Sequence, residues 1–214
     1  MEYSLSRRER EKMQRKSEII EVAEKLFIKY GYEGTSMDDI SKEAQFTKPT
    51  LYQYFLNKED LFFAVVLKFA KQYISNTKES IEGKRNALEK IYHSNLQFFK
   101  FFKENPEIFQ MFDYTPPSKS AKEASPNYLE LLKLQDESFK MYTEIIEEGK
   151  KDGSMSPDLD AKKAAHAGVL TTISFMNTIS KSNDSYFETY GFDKDDFILY
   201  GLKMIAEALA QKNG

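Results

Sequence analysis

The sequence has no cysteine. That excludes disulfides, thiolate metal sites and a cysteine nucleophile, and it permits a cytoplasmic address, which we expect. Histidine is scarce too: His93 and His166 are the only two and stand far apart. A histidine-based metal centre or general base therefore has little to draw on, and neither metal nor cofactor is expected. No apolar run approaches the ~20 residues that span a bilayer; Leu61–Leu67 is typical of what is present. The basic N-terminus has no apolar core behind it, so no secretory signal is expected. Six prolines and nine glycines fall mostly between periodic stretches. No series of alternating strands bounded by turns is visible.

What is present is helical and ordinary in composition, with 41% hydrophobic and 30% charged residues. The 214 residues suffice for one core, or for a small domain fused to a larger one. The net charge of −3 carries no global sign of nucleic-acid binding. Local placement says more. Between Arg7 and Lys16 stand six basic residues against two acidic ones. Such a run reads either as a solvated helix end or as a partner for a phosphate backbone.

The first predicted helix carries Ile19, Ile20, Ala23, Leu26, Phe27 and Tyr30 in one apolar stripe and ends at Gly31. Ser36 can cap a short second helix whose first turn holds Asp38 and Asp39, favourable near its positive dipole end. Gln45-Phe46-Thr47 forms a turn, and Thr47 can cap a third helix with Pro49 in its first turn. Asn57 can cap a fourth helix from Lys58 to about Ser80. Further helices are predicted over Asn86–Glu104, Pro106–Asp113, Asn127–Asp152, Asp160–Ser182 and Asp193–Gln211, about nine in all. Tyr114–Pro126, with three prolines, reads as a loop.

Two short helices joined by a tight turn and preceded by a longer one make a helix-turn-helix candidate. In the third helix, Lys48–Phe55, Leu51 and Phe55 fall together and point inward, and Phe46 can plug the turn. Pro49 and Gln53 lie opposite. Gln53 has an amide suited to bidentate pairing with adenine, and Pro49 offers apolar surface to a thymine methyl. Lys48 can reach guanine or phosphate. The hydroxyls of Thr50, Tyr52 and Tyr54 suit phosphate oxygens, which position a helix without specifying sequence. Lys58 can pin the strand alongside.

The stretch Gly31–Leu61, GYEGTSMDDISKEAQFTKPTLYQYFLNKEDL, resembles the signature of the TetR family of transcriptional regulators. The match spans about the first quarter of the chain and fixes many residue types at set spacings. Gly153–Asp160 followed by Ala164-Ala165 is similar to that family's lead-in to its eighth helix. The resemblance implies a homodimer on double-stranded DNA with a palindromic operator, released by a small-molecule effector in most members. It places DNA contacts on Ser36, Thr47, Lys48, Pro49, Thr50, Tyr52, Gln53, Tyr54 and Lys58. One departure stands out. Gln45 occupies the turn position where the family usually has glycine, so it is strained if that position needs a positive φ.

The expected organisation is all-α: a helix-turn-helix domain over 1–57 with a basic N-terminal arm, then a larger helical-bundle regulatory domain over 58–214. The helix 58–80 is the connector. Candidate effector contacts are the polar residues on apolar lines, Asn95, His166 and Asn177, with Phe99, Phe102, Tyr142 and Met176. The helices near 160–182 and 193–211 are expected to pair two subunits; Phe197, Ile198, Gly201, Leu202, Ile205, Ala208 and Leu209 form the stripe on the last. The expected function is a sequence-specific DNA-binding regulator, a homodimeric repressor released by a small, largely apolar ligand. The alternatives are a DNA-binding regulator controlled by a partner protein, and a helical enzyme. The enzyme is disfavoured because adjacent acids such as Glu147 and Glu148 diverge on a helix and make poor acid/base partners.

Overall fold

The computed structural model describes residues 6–112 and 125–211, without the side chains of residues 110 and 112. The loop expected at Tyr114–Pro126 lies outside the described residues up to 124. Among the described residues the fold is all-α, with ten helices. They are α1 (Arg7–Tyr30), α2 (Met37–Glu43), α3 (Lys48–Tyr52), α4 (Lys58–Ile81), α5 (Ala87–Glu104), α6 (Pro106–Phe112), α7 (Pro126–Asp152), α8 (Ala161–Lys181), α9 (Asp184–Tyr190) and α10 (Lys194–Glu207). They form two compact units, Met1–Lys71 with Pro106–Lys133, and Gln72–Asn105 with Leu134–Gly214. Helices α4 and α7 each have residues in both units.

In the first unit, α1 starts at a capping box. Ser6 Oγ accepts from the Glu9 amide at 3.3 Å, and the Ser6 amide donates to Glu9 Oε2 at 2.8 Å. Its four-residue spacing of Ile19, Ala23 and Phe27 buries one face, and Gly31 closes it at φ 71°. Phe27, Tyr32 and Phe62 pack ring against ring, with centroids 5.2–6.0 Å apart, which fixes the start of α4 against α1. Asn57 caps α4 as its position predicts, accepting from the Asp60 amide at 2.8 Å.

Asp60 is the polar centre of this unit. Its buried carboxylate accepts from the Leu56 amide at 3.1 Å, from Ser125 Oγ at 2.7 Å and from Asn127 Nδ2 at 2.8 Å. The Asp60 carbonyl accepts from the same Asn127 amide at 3.2 Å. A buried carboxylate needs this many donors to replace its water. Phe63 and Tyr128 stack beside it at 4.7 Å. The expected loop ended at Pro126, whereas Pro126 begins α7. Ser125 Oγ accepts from the Tyr128 amide at 3.1 Å, and a proline in the first turn surrenders only an amide that has no helical partner.

The second unit is built on apolar packing. Ala87 and Ile91 of α5, Tyr142, Ile145 and Ile146 of α7, Met155, Ala161 and Ala165 of α8, and Ala206 of α10 share one core. Burial pushes the Tyr73 phenol well above its ordinary value, and the neighbouring Tyr142 hydroxyl adds to the shift. The segments after α7 and α10 meet in a single antiparallel bridge, Met155 with Ala210. One helix escaped the sequence reading: α9, seven residues capped by Asn183 and closed by a left-handed Gly191. At that length apolar periodicity is not measurable.

Candidate nucleic-acid interface

Helix α2 is opened and closed by local chemistry. Ser36 Oγ accepts from the Asp39 amide at 3.2 Å, and Asp39 Oδ2 accepts from the Ser36 amide at 3.0 Å. The Ser36 side chain, then its amide, hold the Asp39 carboxyl below the usual carboxylate range. At the other end, Gln45 donates to the Lys42 carbonyl at 3.2 Å and Phe46 to the Ser41 carbonyl at 3.0 Å. These are the two bonds of a Schellman cap, which places its C′ residue in the left-handed region. That residue is Gln45, at φ 57°, the one non-glycine with positive φ among the described residues. The turn is therefore of the ordinary geometry, with a residue that carries the Cβ penalty glycine avoids.

Thr47 then caps α3, accepting from the Thr50 amide at 3.3 Å. Pro49 sits in the first turn. Leu51 and Phe55 are fully buried, each contributing about 1.5–3 kcal/mol of apolar burial. Phe46 is half-buried over the turn. Regular helix ends at Tyr52, earlier than the expected Phe55, and Gln53 is its C-terminal cap at φ −74°, ψ −21°. Gln53 keeps helical geometry, and it is exposed together with Lys48, Pro49 and Tyr52, on the side away from Leu51. Thr50 and Tyr54 are half-buried on the flanks. Lys48 Nζ pairs with Asp38 at 3.0 Å. Both groups are exposed, so the pair holds the lysine only weakly.

Lys58 does something other than its position predicts. Its ammonium donates to the carbonyls of Tyr32 at 2.8 Å and Thr35 at 3.0 Å, and lies 4.0 Å from the Tyr32 ring centroid. Two carbonyls left by the α1–α2 loop and one aromatic face surround it, so it ties that loop to α4. Sequence spacing reveals the lysine but not the carbonyls 26 and 23 residues away.

The candidate effector residues lie in the second unit and turn different ways. Asn95 is buried and donates to the Leu202 carbonyl of α10 at 3.1 Å. His166 stacks flat on Phe139, centroids 4.0 Å apart, with Nδ1 2.8 Å from the Lys162 carbonyl. Tyr142 and Met176 are buried, and Phe99 and Phe102 are half-buried. The line His166, Leu170, Ile173 and Asn177 is not the buried face of α8. Leu170 is 57% exposed and Ile173 38%, while Ala161, Ala165, Thr172, Met176 and Ile179 face the core. Helix α10 shows a similar division. Ile198, Leu202 and Ala206 are buried within the subunit, and Gly201 faces the Phe175 ring; Tyr200 and Met204 are outside. Part of the stripe assigned to subunit pairing is thus covered within one chain.

Residues 19–65 match the model of bacterial regulatory proteins of the tetR family. The chain belongs to the TetR family. It is a DNA-binding transcriptional regulator and not an enzyme. An uncharacterised helix-turn-helix-type transcriptional regulator of Bacillus subtilis, YhgD, is 28% identical over 67% of this chain and 73% of its own. The helix-turn-helix-type transcriptional repressor KstR2 of Mycolicibacterium smegmatis is 25% identical over 68% and 70%. Among solved structures, the fatty acid degradation regulator FadR of Bacillus halodurans superposes with a TM-score of 0.69 at 16% identity, covering 92% of this chain and 97% of that one. At that identity the likeness concerns the fold. Within the TetR family, then, this chain has an intact α2–turn–α3 with an unusual glutamine at the turn. Among its described residues no helix is long and apolar enough to cross a membrane.

Proposed function

We propose that this TetR-family protein is a homodimeric repressor that reads a palindromic operator through α3 and is released by a small, largely apolar effector. The observation that carries the reading is the division of α3: Leu51 and Phe55 are buried, and Pro49, Tyr52 and Gln53 are exposed opposite. Gln53 would read adenine and Pro49 a thymine methyl; Lys48, Thr50, Tyr52 and Tyr54 would hold phosphates. Ser36 and Thr47, at the starts of α2 and α3, would present those helix N-termini to the backbone. Lys58 holds the α1–α2 loop instead, so Lys58→Ala lowers thermal stability and leaves the salt dependence of DNA binding unchanged.

The functional boundary lies at 57/58, with α4 as the connector into a sensing domain over 58–214. Pairing through α8 and α10 is supported by their exposed Leu170, Ile173, Tyr200 and Met204, large apolar groups on two helices of one unit. His166 and Asn177 belong with that outward surface. Asn95, Phe99, Phe102, Tyr142 and Met176 are the proposed effector contacts. An apolar effector agrees with this lining and with the printed role of the Bacillus halodurans neighbour in fatty acid degradation. Two recognition helices one turn of DNA apart need a spacing of about 34–36 Å, and the effector acts through its unequal affinity for the two spacings.

Selection of bound duplexes from a random pool tests this reading. It should enrich a palindrome at moderate salt, and enrichment of no sequence would refute it.

A further inference from the structure

The basic run at Arg7–Lys16 is not a loose tail. It forms the first turns of α1, started by the Ser6–Glu9 capping box. From Arg7 to Glu18 every residue is exposed except the half-buried Lys16, and the first buried residue is Ile19. Twelve residues at 1.5 Å each make an overhang of about 18 Å with no core of its own.

The register of the cations gives the overhang a direction. Arg8, Lys12, Arg15 and Lys16 follow the spacing i, i+4, i+7, i+8, and Ile19, Ala23, Leu26 and Phe27 continue the same line. The face that packs on the helix-turn-helix downstream is therefore cationic upstream, and it points the same way. Two contacts bear this out. Lys16 Nζ lies 5.7 Å from the centroid of the Phe55 ring, the inward anchor after α3. An open groove beside the overhang is lined by Arg10, Glu11, Gln14, Arg15, Glu18 and, from the α2–α3 turn, Phe46. The acids of these turns are engaged with their own neighbours: Glu9 with Ser6, Glu11 with Arg7 at 2.9 Å, and Glu18 with Gln14 at 2.9 Å. Among the described residues Arg8, Arg10, Lys12 and Arg15 make no ion pair.

We propose that this overhang is a second DNA contact, a helical cationic strip that lies on the phosphate backbone flanking the half-site read by α3. The inference rests on the DNA-reading role of α3 and adds to it a partner surface outside the helix-turn-helix. Charge complementarity selects the occupant: unpaired guanidinium and ammonium groups on one face, beside the reading helix, match a phosphate line and offer no apolar seat for a protein. The strip strengthens binding without reading bases.

The test uses the full chain with Arg8→Ala, Lys12→Ala and Arg15→Ala combined, substitutions that favour helix and touch no core residue. Binding to the selected operator, with its natural flanks, is titrated against salt. Three lost phosphate contacts should reduce the slope of log affinity against log salt by about 2 to 3, at ~0.9 per contact. Base preference should stay as in the unaltered protein. Trimming the flanks from the duplex should produce the same loss in the unaltered protein and none in the variant. Arg8→Lys with Arg15→Lys should keep the slope. An unchanged slope, or a changed base preference, would overturn the proposal. A Gln53→Ala control separates the two claims. If it alters base preference while the triple variant keeps its slope, the strip is wrong and the reading helix stands.

Discussion

The two units of this molecule are held by different kinds of chemistry. In the first, hydrogen bonds place individual backbone groups: Ser6, Ser36, Thr47 and Asn57 each accept from an amide at a helix start, and Asp60 gathers donors from Leu56, Ser125 and Asn127. In the second, side chains of no particular chemistry fill space, as with Ala87, Ile91, Ile145, Met155 and Ala206 in one core. A reading head must present a few atoms to bases within tenths of an ångström, so its helix ends are fixed by directional bonds. Volume is what defines the other unit, and many sequences supply the same volume.

Four variants probe this contrast, in falling order of effect. Asp60→Ala should be the most damaging. It strips the Leu56 amide, the Ser125 hydroxyl and the Asn127 amide of a buried acceptor at once, a loss on the order of 3 kcal/mol in denaturant unfolding. A loss below 1 kcal/mol would mean that water replaces the carboxylate freely. In the second unit the corresponding lesion is steric. A Cβ on Gly149 would stand 2.6 Å from Met155 Cγ and 2.9 Å from Ala87 Cβ. Gly149→Ala should therefore cost about 1 kcal/mol, overpacking of about 1–3 outweighing the better helix propensity. A stabilised variant would show that this core yields more easily than the head.

Gln45→Gly should go the other way. Relief of the left-handed strain, partly offset by a more flexible unfolded chain, should raise stability by about 0.5 kcal/mol, read as a higher melting temperature. No gain would place compensating contacts on the Gln45 side chain. The smallest effect concerns acid. Ser36 holds the Asp39 carboxyl below its ordinary range, so the contribution of that cap is complete above the unfolded-state value. It is lost as pH falls through the lowered folded value. Asp39→Asn should flatten the acid limb of the stability profile below about pH 4 and change little near neutrality. An unchanged acid limb would remove Asp39 from the cap's energetics.

How much could be read from the sequence follows the same division. The helix-turn-helix was legible because its determinants are local: a cap, a Pro in a first turn, an inward pair four residues apart, and a glutamine at a glycine position, which does have a positive φ. The partners of Asp60 lie 65 and 67 residues away, and those of Lys58 are carbonyls, which every residue has; neither leaves a pattern. On α8 two apolar lines run side by side. Spacing identifies both but does not say which is buried, so His166 and Asn177 were assigned to the interior when their neighbours Leu170 and Ile173 face out. Helix α10 divides in the same way, with Ile198 and Leu202 inside and Tyr200 and Met204 outside.

The central claim is that the exposed side of α3, opposite Leu51, reads bases. It is tested most directly by comparing the duplexes that the unaltered protein and Gln53→Ala select from one random pool at the same salt. The account predicts one palindrome for the unaltered protein, and for the variant the same palindrome with preference relaxed at a single symmetric pair of positions. Each mismatch there should discriminate less by about 1–3 kcal/mol. Identical preferences for the two proteins would contradict it.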